Sequence, residues 1–592
     1  MTHVRIASDV GGTFTDVVAF DESAGKTRFG KALTTPRAMV EGILNGIHKS
    51  GEALSNTRLF LHGTTVAINT MLERTGARTA LITTQGFRDI YEIGRINRPD
   101  AYNLFFQKHQ PLVPRSLRFE VNERLRADGS VLRAPEREAV EQICAQLKAQ
   151  GIEAVAILLL HAYANPAHEL LIKRWVQEAM PDAFVTASHE LSTEYREFER
   201  TSTVAANAYV GPRVSRYLRQ IDDTVAREGF AGGFFVVQSS GGLFSVQQAQ
   251  QECIRMLESG PAAGVIGTRA VCERLQIANA IAFDMGGTTA KAGVVLDGEV
   301  MMAGSIMVGG YSEGLPIQVP LIDIQEVGTG GGSIARVETG GALHVGPQSA
   351  GASPGPVCYA LGGEDPTVTD VNLILGRIAP DKFLGGEMPL DLAGATRALL
   401  HRVADPLKLD LHRAALGIIQ IATTTMSHVV TRVTTERGLD AGDFAMVAYG
   451  GAGPLHASLV ARELRMPTVI IPPSPGHFSA TGMLQADLRR FLSGETVSAA
   501  PAAPAAVTTA PAAPPAPLQG ALPIVTDQFA TVTVVPNEEL RRNPGSTLGD
   551  LLFAKPGITG SSFAPGASSR PIIRGLDSNR VGIVDKIGRA HV

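Results

Sequence analysis

Two short stretches carry residue types that can do chemistry on phosphate. In residues 281–292, IAFDMGGTTAKA, an apolar run ends in Asp284, turns through Gly286, Gly287, Thr288 and Thr289, and returns past Lys291. In residues 4–20, VRIASDVGGTFTDVVAF, the same plan recurs: Asp9, then Gly11, Gly12 and Thr13, then Thr15, Asp16 and a second apolar run. Each reads as a buried strand, a tight glycine turn and a return strand. Glycine lets backbone N–H groups close on an anion, and neighbouring threonine hydroxyls add donors to the cradle. An acid at the strand tip suits Mg²⁺, which takes one or two carboxylates and fills its other positions with water and substrate phosphates. One such hairpin is a common turn. Two aligned copies, nearly half the chain apart, predict a duplicated domain. Facing one another, they make a cleft that can clamp a nucleotide's phosphates from both sides.

Hairpins of this kind need a scaffold, and the intervening pattern supplies one. Residues 36–51 have helical periodicity; residues 58–70, RLFLHGTTVAINT, run from a strand into a loop that sets His62, Gly63, Thr64 and Thr65 over the first hairpin. The alternative for His62 is a satisfied turn histidine. Residues 77–84 and 151–160 read as buried strands, with a helix over 138–150. This alternation predicts an α/β architecture with largely parallel core strands. Residues 191–209 predict a polar helix spanning the two halves, its charges on a solvated face. Residues 323–333, DIQEVGTGGGS, form a third glycine-rich loop. Residues 444–456 are a strand ending in Gly450, Gly451, Ala452 and Gly453, with Pro454 at a helix start, a natural place for an adenine ring to lie.

At 592 residues the chain is long enough for several domains. Its 53 Lys and Arg against 57 Asp and Glu leave a net charge of −4, which gives no electrostatic case for nucleic acid or a membrane surface. The four cysteines (Cys144, Cys253, Cys272, Cys358) form no C-x-x-C pair and so predict neither a disulfide framework nor a zinc site. The longest purely aliphatic run, residues 154–160, is too short to span a bilayer. The N-terminus enters a core strand with no apolar leader, so the expected location is the cytoplasm.

The ordered set DVGGTFTD, HGTTVAINT, GARTALITTQGFRDIYEIGR, ESGPAAGV, FDMGGTTAK, EVGTGGGSIA, GPQSAGASPGP, YGGAGPLH and PPSPGHFSATGML closely resembles the hydantoinase A/5-oxoprolinase family over residues 4 to 490. The resemblance implies the duplicated α/β ATPase fold of actin, sugar kinases and Hsp70, with an ATP cleft between an N-terminal domain (1–190) and a core domain (191–490). It implies ATP-dependent hydrolysis of a cyclic amide (hydantoin, 5-oxoproline or lactam type) through phosphoryl activation, by an A-type subunit that works with a B-type subunit. The alternative within the family is ATP-dependent carboxylation of a ketone, as in acetone and acetophenone carboxylases. A non-catalytic nucleotide-binding module is the other class, and the intact acids and glycine loops speak against it. The implied site has Asp9 and Asp284 holding Mg²⁺. Gly11, Gly12, Thr13, Thr15, Gly286, Gly287, Thr288 and Thr289 cradle phosphates in it, and Gly450, Gly451 and Gly453 contact adenosine. Asp16 either orients the attacking oxygen or is a charged hairpin cap.

The pattern halts near Arg490. Residues 491–520 contain an Ala/Pro run, AAPAAPAAVTTAPAAPPAPL, expected to be an extended, disordered linker. Residues 521–586 resemble the start of the plug domain of TonB-dependent outer-membrane receptors, on LGDLL at 548–552, Pro556-Gly557 and PIIRG at 571–575. No barrel follows. The last six residues, IGRAHV at 587–592, match one reading frame of a sequencing-adapter oligonucleotide. A cytosolic ATPase and an outer-membrane plug share no physical function, so the expectation is a chimeric reading frame whose activity lies in residues 1–490.

Overall fold

The structure is a computed structural model that describes residues 3–12, 14–35, 38–95, 102–310 and 314–486, together with the short strands Ile558–Gly560, Pro571–Ile573, Ile583–Val584 and Ala590–His591. Thr13, the Ala/Pro run, and most of the plug-like and terminal segments lie outside the described residues. The chain divides into two compact units, Met1–Thr496 and Val497–Val592, and everything below concerns the first.

Duplication is visible as repeated topology. The strand Val4–Val10 pairs antiparallel with Phe14–Asp21 and parallel with Thr57–Thr64. The strand Ala280–Met285 pairs antiparallel with Ala290–Leu296 and parallel with Ala445–Tyr449. Register makes the copies superpose residue by residue: Asp9 lies opposite Asp16, and Asp284 lies opposite Lys291. Each hairpin belongs to its own six-stranded sheet. Both sheets are mixed, not largely parallel as the strand–helix alternation predicts. A tight glycine turn can return a chain only antiparallel, whereas a parallel neighbour needs a long crossover. The fully parallel sheet lies apart from the hairpins, in the order Phe184–Ala187, Ala154–Leu158, Thr79–Thr84, Arg118–Val121.

The polar helix over 191–209 is observed as Glu197–Arg227, and most of its residues from Phe198 to Leu218 are buried. Most of its charges are solvated, as expected: Glu194 and Arg196 are exposed, Glu197 and Glu199 are half-buried, and Arg200 is the exception. Arg200 is 1% exposed, donates to the Leu159 carbonyl at 3.0 Å and to Ser188 Oγ at 2.5 Å, and lies 3.6 Å from the fully buried Glu169. A buried cation persists because a buried carboxylate and hydrogen bonds compensate it. Burial works to raise the Glu169 carboxyl, but the hydrogen bond from His189 and the charge of Arg200 outweigh it and hold it below its ordinary value.

Among the described residues one helix, Leu411–Arg437, is long and apolar enough to cross a membrane by length and composition. The rest of the fold buries 56% of its apolar window, and Ala414, Ile418, Ala422, Met426, Val429 and Val433 sit in the core of the second half. It is a core helix.

A third helix, Ser259–Leu275, from the ESGPAAGV motif, brings the halves together. Gly260, Gly264 and Gly267 recur at i, i+4 and i+7 on one of its faces. A Cβ at Gly260 would stand 2.7 Å from Asp9 Oδ1, one at Gly264 2.3 Å from the Tyr449 hydroxyl, and one at Gly267 3.1 Å from Gly482 Cα. A side chain at Gly264 would collide with the Tyr449 ring, and one at Gly260 or Gly267 would crowd Asp9 or Gly482.

Candidate active-site cleft

The two hairpins open onto one cavity of about 810 Å³. Asp9, Gly11, Gly12 and Asp16 line it from the first half. Asp284, Gly286, Gly287, Thr288 and Thr289 line it from the second, with Gly450, Gly451 and Ala452 beside them. A Cβ built at Gly12, Gly286 or Gly451 meets no protein atom within 4 Å, so the backbone there is bare to the cavity. That is the surface a phosphate needs for close approach to N–H groups. The third glycine loop braces this surface: Gly331 N donates to the Gly286 carbonyl at 3.0 Å and Gly332 N to the Gly287 carbonyl at 2.7 Å.

Three sequence expectations are corrected by position. Thr15 is fully buried with its Oγ1 3.2 Å from Thr34 Oγ1 and does not line the cavity, because strand alternation turns it away from the face that Asp16 presents. Gly453 opens the helix Gly453–Glu463 and faces the second hairpin strand, where a Cβ would lie 3.5 Å from Met285 N, and not the cavity. His62 belongs to the strand Thr57–Thr64 itself, not to a loop over the hairpin. It is fully buried, with Nε2 3.0 Å from the Tyr217 hydroxyl, and burial pushes its pKa down to about 3, so it is a neutral core histidine.

The electrostatics of the cleft centre on the two acids. Burial, then the charges of Asp16 and Asp284, push Asp9 up to about 7 against the partial relief of Lys31 and Lys291. Burial pushes Asp284 up to about 6, with Lys291 opposing and Asp16 adding to the shift. Two half-buried carboxylates that resist ionisation are a place where a divalent cation is strongly favoured. Among the described residues no cluster of three or more His, Cys, Asp or Glu is set to hold a metal. A two-carboxylate set suits Mg²⁺, whose remaining positions go to phosphate oxygens and water. Glycines make room around both acids: Gly63 and Gly260 abut Asp9, and at Gly450, with φ +81°, a Cβ would fall 2.4 Å from Asp284 Oδ1.

Several cleft residues escape sequence reasoning. Lys31 forms an ion pair with Asp16 across the first hairpin's outer strand pair. Lys291 bridges Glu258 at 2.7 Å and Glu326 at 3.2 Å; burial works against its charge, and the two carboxylates outweigh it and hold its pKa above the ordinary lysine value. The second half adds an apolar wall of Tyr359, Ile378, Phe383 and Leu455.

Gly260 gives a sharp test of this crowding. Alanine is the better helix former by about 1 kcal/mol, so Gly260→Ala should fold at least as well by propensity. Its methyl would displace the Asp9 carboxylate. The expected result is a melting temperature near wild type together with a loss of Mg²⁺-dependent nucleotide affinity of about tenfold or more, measured by titration calorimetry.

A two-lobed α/β protein with duplicated acid-tipped glycine hairpins around one cleft is the class that fold and site define. The family model for hydantoinase/oxoprolinase matches residues 200–491 and that for the hydantoinase/oxoprolinase N-terminal region matches residues 5–180. The chain belongs to the hydantoinase/oxoprolinase family. A protein of Methanocaldococcus jannaschii is 42% identical over 82% of this chain and 73% of its own length. The caprolactamase subunit alpha of Pseudomonas jessenii is 36% identical over 82% of this chain and 70% of its own, and the solved caprolactamase from that organism superposes with a TM-score of 0.69. A solved acetone carboxylase chain, 29% identical, superposes with a TM-score of 0.72 over 82% of this chain and 71% of its own. Residues 525–585 match the family model for the TonB-dependent receptor plug domain.

Proposed function

We propose that this chain is the ATP-using subunit of a two-component enzyme that opens a cyclic amide by phosphorylating its carbonyl oxygen. The observation that carries the reading is the pair of half-buried, charge-frustrated carboxylates, Asp9 and Asp284, set between bare glycine turns in one cleft. The match to caprolactamase subunit alpha supports the amide substrate and the need for a partner. An unstrained amide is a poor electrophile, and phosphorylation of its oxygen creates a leaving group. Asp9 and Asp284 hold Mg²⁺, which neutralises charge on the phosphoryl oxygens. Gly11 N and Gly286 N close the two turns onto the Phe14 and Thr289 carbonyls, which leaves the Gly12 and Gly287 N–H groups to face the phosphates, and Gly450–Ala452 with the wall of Tyr359, Ile378, Phe383 and Leu455 receives adenosine. The protein's work is positioning and charge neutralisation. The partner is a B-type subunit, and the setting is the cytoplasm, where ATP is supplied.

The superposition on acetone carboxylase favours one second reading, activation of a ketone for carboxylation. Phosphate release measured against a panel of cyclic amides and ketones, with and without a co-purified partner, separates the two. Ring opening by the amides only with the partner present is the expected result. Release with ketones and bicarbonate alone would assign the carboxylase reading, and nucleotide binding with no release on any substrate would make the chain a binding module.

A further inference from the structure

The two hairpins have diverged at one register position. In the second copy Lys291 is taken up by two carboxylates, Glu258 and Glu326. In the first copy the equivalent residue is Asp16, and its surroundings leave hydrogen-bonding capacity over. Lys31 Nζ donates to Asp16 Oδ1 and lies 4.8 Å from the centre of the Phe14 ring. His477 Nε2 lies 3.7 Å from the same Oδ1, beyond hydrogen-bond reach, and is a buried nitrogen with no partner. The Phe29 ring packs on His477 at 5.1 Å. Asp16, Lys31, Phe14, Phe29 and His477 all line the cavity. An ammonium has three N–H donors and Lys31 uses one on Asp16; among the described residues Asp16 Oδ2 accepts from none. A charged donor and a charged acceptor therefore stand side by side in the cavity wall, with the Phe14 ring beside Lys31 and the Phe29 ring beside His477.

We propose that Asp16 and Lys31 form a recognition fork for the N–H/C=O edge of a small cyclic amide. The inference rests on the function proposed above and assigns the acceptor subsite of that same cleft. A ring forces its amide into the cis form, so the N–H and C=O lie together on one edge; an open-chain secondary amide is trans and points them in opposite directions. Lys31 donates to the carbonyl oxygen, the Asp16 carboxylate accepts from the N–H, and the ring methylenes lie against Phe14 and Phe29. The chemistry balances. As the carbonyl oxygen bonds to the γ-phosphorus, the bond from phosphorus to the leaving ADP oxygen breaks. The amide proton passes to Asp16, and the C–N bond gains the double-bond character that the C–O bond loses. A ketone uses only the Lys31 arm. A site built to pair an N–H rejects the analogue that lacks it, because its own acceptor is left unpaired.

The test compares valerolactam, N-methylvalerolactam and open-chain N-methylacetamide. Each is titrated into the full chain, with any subunit that co-purifies, in the presence of Mg²⁺ and a non-hydrolysable ATP analogue. Wild type should bind valerolactam about tenfold or more tighter than its N-methyl derivative and more tightly than N-methylacetamide. Asp16→Leu should bring the first ratio to about one, while Lys31→Met should weaken both lactams by a similar factor. Circular dichroism and the melting temperature report whether each variant is folded, and a simple packing role would leave the N–H preference unchanged. If Asp16→Leu does not fold, the wild-type ratio and Lys31→Met still decide. Equal wild-type affinities for the two lactams, no binding of either, or a preference that survives Asp16→Leu would overturn the fork. Those results leave the proposed function standing if phosphate release on cyclic amides persists. Loss of that release across the whole amide panel is the separate failure of the function.

Discussion

Asp284→Ala is expected to abolish Mg²⁺-ATP turnover and leave the fold intact. The carboxylate sits at the end of the strand Ala280–Met285, faces the cavity and has its pKa raised to about 6 by burial, so it costs the folded chain stability at neutral pH. No hydrogen bond of the described residues depends on it, and its removal relieves Asp9 of one repelling charge. On the proposed function, what the variant loses is one of the two carboxylates that would hold Mg²⁺. Removing a group that organises transition-state charge costs about 10²–10³ in rate, roughly 3–4 kcal/mol. The measurement is phosphate release at saturating ATP, with circular dichroism to confirm the fold. A folded variant with near-normal release would remove Asp284 from the site.

What was legible in the sequence was local. Each acid, glycine pair and return strand lies within about a dozen residues, so the hairpins at Asp9 and Asp284 follow from short-range pattern. The residues that escaped depend on register or on packing between distant segments. Lys31 meets Asp16 because two strands pair with one particular stagger, which alternation alone does not fix. Arg200 reads as a surface charge until Glu169 and Ser188, from another element, are folded over it. The glycines of the helix Ser259–Leu275 look like weak helix formers, and their reason appears only with Asp9 and Tyr449 in place. Thr15 and Gly453 failed for the opposite reason: motif membership placed them, while strand alternation and helix phase turned them away from the cavity. The linker, Thr13 and most of the tail fall outside the described residues, so the chimera expectation there rests on sequence.

The frustrated acid pair also predicts how stability follows pH. Asp9 rises from 3.8 to about 7 and Asp284 from 3.8 to about 6 on folding. A raised carboxyl pKa means that the folded state binds protons more tightly than the unfolded chain. Its contribution is therefore fully present below about pH 4 and is lost as pH rises through 6 and 7. At about 1.4 kcal/mol per unit, Asp9 alone is worth on the order of 4 kcal/mol across that window. Other groups slope the opposite way: neutral His62, with its pKa pushed down to about 3, and Glu169, held low, both favour the fold as pH rises. Wild-type melting curves mix these signs, so the decisive quantity is the difference between Asp9→Asn and wild type. Without nucleotide, the variant should gain stability over wild type progressively from pH 4 to pH 8. Saturating Mg²⁺ and nucleotide should shrink that gain in wild type's favour, because a cation that Asp9 and Asp284 would hold would offset their repulsion. A stability difference independent of pH between 4 and 8 would show that Asp9 is not a strained acid, and the cation site built on it would fall with it.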